Sequence, residues 1–398
     1  MRILMLTPYL PYPPHAGGRI RMLELLRFLQ PRHEVTVVSF IFNETELPLV
    51  KELSTSCKQV ITVMRHKQPP RSDDIRPRLI AEYWTPEMRD RLLELNAESH
   101  FDLVDVEHIF MAQYAPLITA PAVLQEHNIE SQVLRRYAEM STLHGEGQRV
   151  MAAPSGAFRD AQVEWLKMAA YESSTWPKFP VRLTVSELDR EEMLSRCPTG
   201  RVVTVPNGVD TRALRPVGSS GSRGVLFTGT LDYQPNIDAA LELCDLIWPL
   251  VQRCVPDACL YIVGRKPPEH LLMRRQPGRI EIAGDVPDIT PYAINCSASA
   301  VPLRAGGGTR IKILTALALG LPVVTTNIGC EGLDLQPGRD LLVSDDPVHF
   351  SEHLIHLLLD EKTRNSLARA GRAAVEARYD WQHIFPTLEQ LYKDFVGS

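Results

Sequence analysis

Between residues 304 and 326 the chain reads Arg-Ala-Gly-Gly-Gly-Thr-Arg-Ile-Lys-Ile-Leu-Thr-Ala-Leu-Ala-Leu-Gly-Leu-Pro-Val-Val-Thr-Thr. Three consecutive glycines, Gly306, Gly307 and Gly308, follow a strand-like run at 298–302 and precede a helix pattern at 309–319. Gly320 stands where a helix C-cap is expected, and a second strand pattern follows at 322–325. Glycines let backbone N–H groups approach a ligand closely, and a helix start adds partial positive charge. Arg310 and Lys312 add two cations within one turn, so the combination suits a phosphorylated ligand. It is not a Walker loop, because Lys312 lies too far from the glycines, and no Gly-x-Gly-x-x-Gly spacing occurs.

Other reactive patterns are weaker. Glu107 and His108 close a strand pattern, and adjacent residues there point to opposite faces, so only one of them looks toward a ligand; His108 is the expected one. His127 and Asn128 sit similarly after the next strand, with Asn128 also suited to capping a helix. Ser186 lacks the Gly-x-Ser-x-Gly surroundings of a hydrolase nucleophile and reads as a helix cap before an acidic first turn. His349, His353 and His356 share a helix face, but beside the apolar stripe of Phe350, Leu354, Leu357 and Leu358, where no metal site is expected. No Asp-x-Asp pair is present to hold a divalent ion, and no cofactor is expected.

The elements that must position these residues alternate in type. Strand patterns fall at 3–6, 35–40, 60–64, 103–106, 122–125, 182–185 and 202–205, then at 225–228, 259–263, 280–283, 298–302, 323–325 and 341–343. Helical patterns fill most gaps, which predicts parallel α/β sheets in both halves. At 398 residues the chain suits two domains. The most linker-like stretch is 215–223, and a helix pattern with no strand after it closes the chain at 381–395. Ligands of such sheets bind outside the carboxyl ends of the strands.

Composition is that of an ordinary globular protein, 44% hydrophobic and 23% charged. A net charge of -5 argues against bulk nucleic-acid binding. The 7 cysteines form no Cys-x-x-Cys pair and read as reduced core residues of a cytoplasmic protein. No apolar stretch is long enough to span a bilayer, and residues 1–7 read as a strand rather than a signal peptide. A stretch from 65 to 91 carries Arg65, Lys67, Arg71, Arg76, Arg78, Arg89 and Arg91 with Tyr83 and Trp84 between them, which suits a solvated surface or an acceptor- or membrane-facing one.

Taken in order, these motifs resemble family 4 of the retaining glycosyltransferases, over nearly the whole chain. The resemblance rests on Pro-Tyr-Pro-Pro-His-Ala-Gly-Gly-Arg-Ile-Arg (11–21), Val-Glu-His (106–108), Glu-His-Asn-Ile-Glu-Ser (126–131), Thr-Val-Ser-Glu (184–187) and Val-Pro-Asn-Gly-Val-Asp (205–210). It continues through Phe-Thr-Gly-Thr-Leu-Asp-Tyr-Gln-Pro-Asn (227–236), Ile-Val-Gly-Arg (262–265), Gly-Asp-Val-Pro-Asp (284–288) and the glycine loop. The bacterial polysaccharide-assembly branch is the most similar. The resemblance implies a GT-B fold, two Rossmann-like parallel-sheet domains facing across a cleft. Residues 1–208 would form an acceptor-side domain, 209–380 a nucleotide-sugar domain, and helix 381–398 would be free to pack back on the first. The implied donor contacts are Gly17, Gly18, Gly229, Asn236, Arg265, Val286, Gly306, Gly307, Gly308, Thr309, Arg310 and Thr315. Catalytic roles fall to His108 and Lys312, and acceptor-side roles to Glu107, His127 and Asn128.

Two positions depart from the family pattern. Relatives carry two glutamates eight positions apart around this loop; here Gly307 and Thr315 stand there. The second glutamate is expected to accept hydrogen bonds from the donor ribose, and a threonine hydroxyl is the weaker acceptor. Its loss corresponds to about 1.5–3 kcal/mol of donor affinity. Many relatives also place an Arg and a Lys after the first strand of the second domain, where this chain has Thr230 and Asn236. The diphosphate charge must then be met by Arg265, Lys266, Arg310 or Lys312. Two residues apart on a helix, Arg310 and Lys312 face directions about 200° apart, so they cannot serve one spot together.

The expected activity is metal-independent, retaining transfer of a hexose from a nucleoside diphosphate sugar to a glycan or glycolipid, in the cytoplasm or peripherally at the inner membrane face. Thr315 motivates an alternative, a degenerate subunit that binds a partner or glycan without turnover.

Overall fold

The computed structural model describes residues 1–66, 75–143, 157–218 and 221–397. It divides the chain into two compact units. One comprises 1–14, 18–206 and 385–398; the other comprises 15–17 and 207–384.

The first unit holds seven parallel strands: β1 (Arg2–Thr7), β2 (Glu34–Ile41), β3 (Gln59–Met64), β4 (Leu103–Glu107), β5 (Ala122–Gln125), β6 (Val181–Thr184) and β7 (Arg201–Thr204). Their order is β3-β2-β1-β4-β5-β6-β7. Helices cover a parallel sheet on both faces, so its strands read as continuous apolar runs. Ile3, Leu4, Met5 and Leu6 are accordingly all buried. The order reverses between β1 and β4, which pair in register from Ile3 with Leu103 to Leu6 with Val106. At such a switch the connections leave the sheet in opposite directions and open a crevice at the carboxyl ends. Tyr9 lies just after β1, and Glu107 ends β4.

The second unit repeats the plan with β8 (Gly224–Thr228), β9 (Cys259–Gly264), β10 (Ile280–Gly284), β11 (Cys296–Val301), β12 (Val323–Thr325) and β13 (Leu342–Val343). Their order is β10-β9-β8-β11-β12-β13, all parallel, so the switch lies between β8 and β11. The residues leaving these strands are Gly229 to Asn236 and the triple-glycine loop.

All thirteen strand patterns read from the sequence appear as strands. The linker-like stretch 215–223 belongs to the second unit, where Val217 donates to the Leu319 carbonyl. The last helix, Trp381–Val396, sends Tyr392 and Leu388 into the core of the first unit, where Phe385 lies 5.5 Å from Phe28 and His33 meets Glu389 at 2.8 Å. No disulfide joins the cysteines, and Cys254 is exposed rather than in the core, since the surface helix that carries it (Trp248–Cys254) ends there. Lys67 and Arg71 of the basic stretch lie outside the described residues. Among the described residues, no helix is long and apolar enough to cross a membrane.

Candidate active site

In the second unit the glycine loop leaves β11 with Gly306 at φ 132° and Gly308 at φ 61°. A side chain is excluded at the first φ and disfavoured at the left-handed second, which glycine adopts without cost. The following helix spans Ile311–Ala318, two residues later than the pattern at 309–319 suggests. Arg310 explains the delay. Its backbone is extended, and its guanidinium turns back to bond the Gly307, Gly308 and Ile328 carbonyls. Arg310 thus braces the loop it follows. Thr309 is held by Asn207, whose amide nitrogen donates to the Thr309 hydroxyl at 2.9 Å.

Lys312 goes the other way. Its ammonium donates to Asn236 Oδ1 at 2.6 Å, lies 4.7 Å from the centre of the Phe227 ring, and sits directly over Gly229. Asn236 and Thr230 carry no charge, so among these residues Lys312 brings the one cation to the end of the β8 loop. Among the described residues no carboxylate pairs with it. Burial, with a further push from the neighbouring Arg310, lowers its pKa to about 7. A half-buried ammonium facing a neutral amide and a ring is electrostatically incomplete, and an anion seated beside it favours the charged form.

The other cations are engaged at the rim. Arg265 meets Asp285 at 3.4 Å and Lys266 meets Asp232 at 3.1 Å, both at exposed side chains. Val286 is half-buried just past β10. Thr315, one turn beyond Lys312 on the same helix face, is half-buried, and its hydroxyl makes no hydrogen bond among the described residues. Gly17 packs in ordinary contact with Ile311.

In the first unit, polar residues gather where β4 and β5 end. Glu107 is fully buried, and its Oε2 lies 2.5 Å from His127 Nε2. The Gln125 amide nitrogen donates to Asp105, Glu107 and the Tyr392 hydroxyl, while Tyr392 donates to Asp105 at 2.7 Å. Arg21 completes the network by donating to Gln125 Oε1 at 3.1 Å and to the Pro206 carbonyl at 2.9 Å. Burial pushes the Asp105 carboxyl up to about 8, aided by the charge of Glu107. It pushes Glu107 up to about 7 against the pull of Arg21, and His127 down to about 3.

His108 sits deeper than a ligand-facing strand end suggests. It adopts φ 83°, stacks on Phe110 with ring centres 3.9 Å apart, and places Nε2 3.3 Å from Glu130 Oε1. Among the described residues its buried Nδ1 has no hydrogen-bond partner. Asn128 spends its amide on Glu130 at 2.9 Å. The two imidazoles are 5.4 Å apart, and Glu107 and His108 both enter a single cluster because His127, just after β5, and Glu130, at the start of the helix Glu130–Leu143, approach them. The three helix histidines are separate: His349 and His356 pair with Asp346 and Asp360, and no metal-binding group of three appears among the described residues.

Sequence reading missed Tyr9, Asp105, Gln125 and Tyr392. A signal existed for the second of these, since Leu-Val-Asp-Val-Glu places two acids in a strand buried on both faces. Acids are almost never buried there without a dedicated partner.

A family model described as Glycosyltransferase Family 4 matches residues 16–213, and one described as Glycosyl transferases group 1 matches residues 222–360. A Klebsiella pneumoniae protein described as an uncharacterized 44.6 kDa protein in the cps region is 21% identical over 97% of this chain and 98% of its own length. A GDP-mannose-dependent monoacylated alpha-(1-6)-phosphatidylinositol monomannoside mannosyltransferase of Corynebacterium glutamicum is 32% identical over 47% of this chain and 55% of its own. The match thus spans about half of that relative. Among solved structures, Anabaena HepE in complex with UDP and glucose superposes with a TM-score of 0.67 at 14% identity, over 99% of each chain, a likeness of fold.

Proposed function

Because this chain belongs to the family 4 glycosyltransferases, with the GT-B fold, we propose that it transfers a hexose from a nucleoside diphosphate sugar to a glycan or glycolipid acceptor, with retention and without a metal. The observation that carries the donor half is the Lys312 ammonium, half-buried over Gly229 next to a glycine loop, with no acidic partner among the described residues. Departure of a nucleoside diphosphate develops negative charge, and a fixed cation with loop N–H groups stabilises that charge without reorganising. Arg310 fixes the loop, and Asn207 fixes Thr309 at its end. The acceptor half rests on the buried Glu107–His127 cluster, with His108, and on what two similar proteins are named for: a mannosyltransferase acting on a glycolipid and a protein of the cps region.

The direct test is a calorimetric panel of UDP-, GDP-, ADP- and TDP-sugars against the purified protein. Micromolar binding of one nucleotide class is expected, and no binding by any of them overturns the donor assignment. Transfer should persist undiminished in EDTA. Abolition by chelator with rescue by Mn²⁺ contradicts the metal-free part of the proposal.

Thr315 separates a weakened donor site from a changed one. On the helix face of Lys312, Thr315→Glu restores the acceptor that relatives carry and should tighten nucleotide binding about ten- to a hundred-fold. If the pocket is instead reshaped around threonine, the new carboxylate lacks a partner, and both affinity and melting temperature fall. Failure of wild type and variant alike to bind any nucleotide supports the second reading, a non-catalytic subunit.

A further inference from the structure

Three consecutive glycines give the 306–308 loop wide backbone freedom, so its N–H groups keep one arrangement only if both flanks are held. Arg310 holds the far flank. On the near flank, in the segment leaving β11, Arg304 stands two residues before Gly306. Its guanidinium grips Asp238 with two arms, Nε donating to Oδ2 at 2.9 Å and Nη2 to Oδ1 at 2.5 Å. The same Nε lies 2.7 Å from Glu242 Oε2. Asp238 and Glu242 are one turn apart on the helix Gln234–Glu242, and both are buried. That helix also carries Asn236, which accepts from the Lys312 ammonium at 2.6 Å and donates to the Thr230 carbonyl at 2.8 Å. One helix is therefore tied to the chain on both sides of the glycines, at Arg304 before them and at Lys312 after them.

We propose that Arg304, with Asp238 and Glu242, is a positioning clamp that orders the glycine loop and Lys312 against the helix Gln234–Glu242 before a diphosphate arrives. The proposal deepens the donor reading of this loop and rests on it. A forked guanidinium–carboxylate pair fixes direction as well as distance, which a lysine ammonium does not. Two acids neutralise Arg304, so its contribution is order in the loop rather than charge for the ligand. Burial pushes the Glu242 carboxyl above its usual range, against the pull of Arg304 and with a further push from Asp238. Asp238, gripped by two arms, is thus the principal partner. A loop ordered in advance stabilises charge without reorganising. A loop ordered only by its ligand binds that ligand more weakly.

The test uses Asp238→Asn, Arg304→Lys and the two combined. Asp238→Asn leaves Arg304 paired with Glu242, and Arg304→Lys keeps the cation, so both should fold. Asp340→Asn is the control, because Asp340 is another buried acid of this unit, gripped by Arg339 through both oxygens at 2.8 Å. Hydrogen–deuterium exchange of peptides spanning 303–311 should run several-fold faster in each clamp variant and at the wild-type rate in the control. Whichever of UDP and GDP binds wild type better is then titrated well below the melting temperature. It should bind each single variant about tenfold more weakly, and the double variant no more weakly than the worse single, since both changes open one clamp. The control should lose melting temperature and keep wild-type affinity. Unchanged loop exchange or unchanged affinity in both single variants overturns the clamp while leaving the donor site standing. Additive losses in the double variant, or an equal loss of affinity in the control, overturn it as well. If wild type binds no nucleotide, the donor reading fails, and the exchange rates still decide whether Arg304 holds the loop.

Discussion

Lys312→Ala is expected to weaken UDP or GDP binding about ten- to a hundred-fold while the protein still folds, the usual worth of a charge-assisted hydrogen bond to phosphate. Folding should not suffer, because the wild-type ammonium is half-buried with no acidic partner among the described residues. Its native pKa is held near 7, whereas an unfolded lysine titrates near 10.4. Between those values the unfolded chain binds more protons than the native one, so stability rises with pH through that window, and below it the cost of burying the charge is complete. Removing the lysine removes this cost and flattens the pH dependence. Nucleotide binding should show the opposite slope. A diphosphate favours the charged lysine, so affinity should fall as pH rises above about 7, by up to tenfold per unit. Calorimetry at pH 7, 8 and 9 on wild type and Lys312→Ala checks both claims. A wild-type affinity independent of pH, or an unchanged affinity in the variant, removes Lys312 from the phosphate site.

Gly264→Ala should be the most damaging single methyl in the second unit. Gly264 ends β9 beside β8, and a Cβ there would run into the carbonyl oxygen of Gly229, with the carbonyl carbon and Leu231 Cγ each at 2.9 Å. These are backbone and core atoms with little freedom to yield, so overpacking should cost about 1–3 kcal/mol or more. In a unit of this size that lowers the melting temperature by roughly 3–10 °C. The displacement falls on Gly229, over which the Lys312 ammonium sits, so nucleotide affinity should drop along with stability. Gly278→Ala is the control: its Cβ meets nothing within 4 Å, so only the backbone strain of its φ of 76° is added and nucleotide binding should be untouched. Differential scanning calorimetry and nucleotide titration on the two variants separate a loss at the site from a general loss of stability. Equal behaviour of the two would show that the close approach of β8 and β9 does not support the site.

Local patterns determined most of the architecture. Runs such as Ile-Leu-Met-Leu and Val-Leu-Phe, buried on both faces, can only be inner strands of parallel sheets, and the helix patterns between them supply the crossovers. The triple glycine announced a close backbone approach because glycine adopts the φ values of Gly306 and Gly308 more readily than other residues. Thr315 and Asn236 were legible as departures from the pattern that the family resemblance implies. Tertiary structure decided the rest. A helical wheel parted Arg310 from Lys312, but only the folded loop shows Arg310 turned back onto Gly307 and Gly308, with Lys312 left to meet Asn236, 76 positions earlier. Strand alternation set Glu107 against His108, yet the segment after β5 brings His127 to the first and the helix that follows it brings Glu130 to the second, so both are drawn into one cluster. Tyr392 and Asp105 lie 287 positions apart, and only the fold brings them together. Sequence periodicity fixes which face of an element is buried; the identity of the partner across that face depends on which distant strands pair, and no local pattern carries that information.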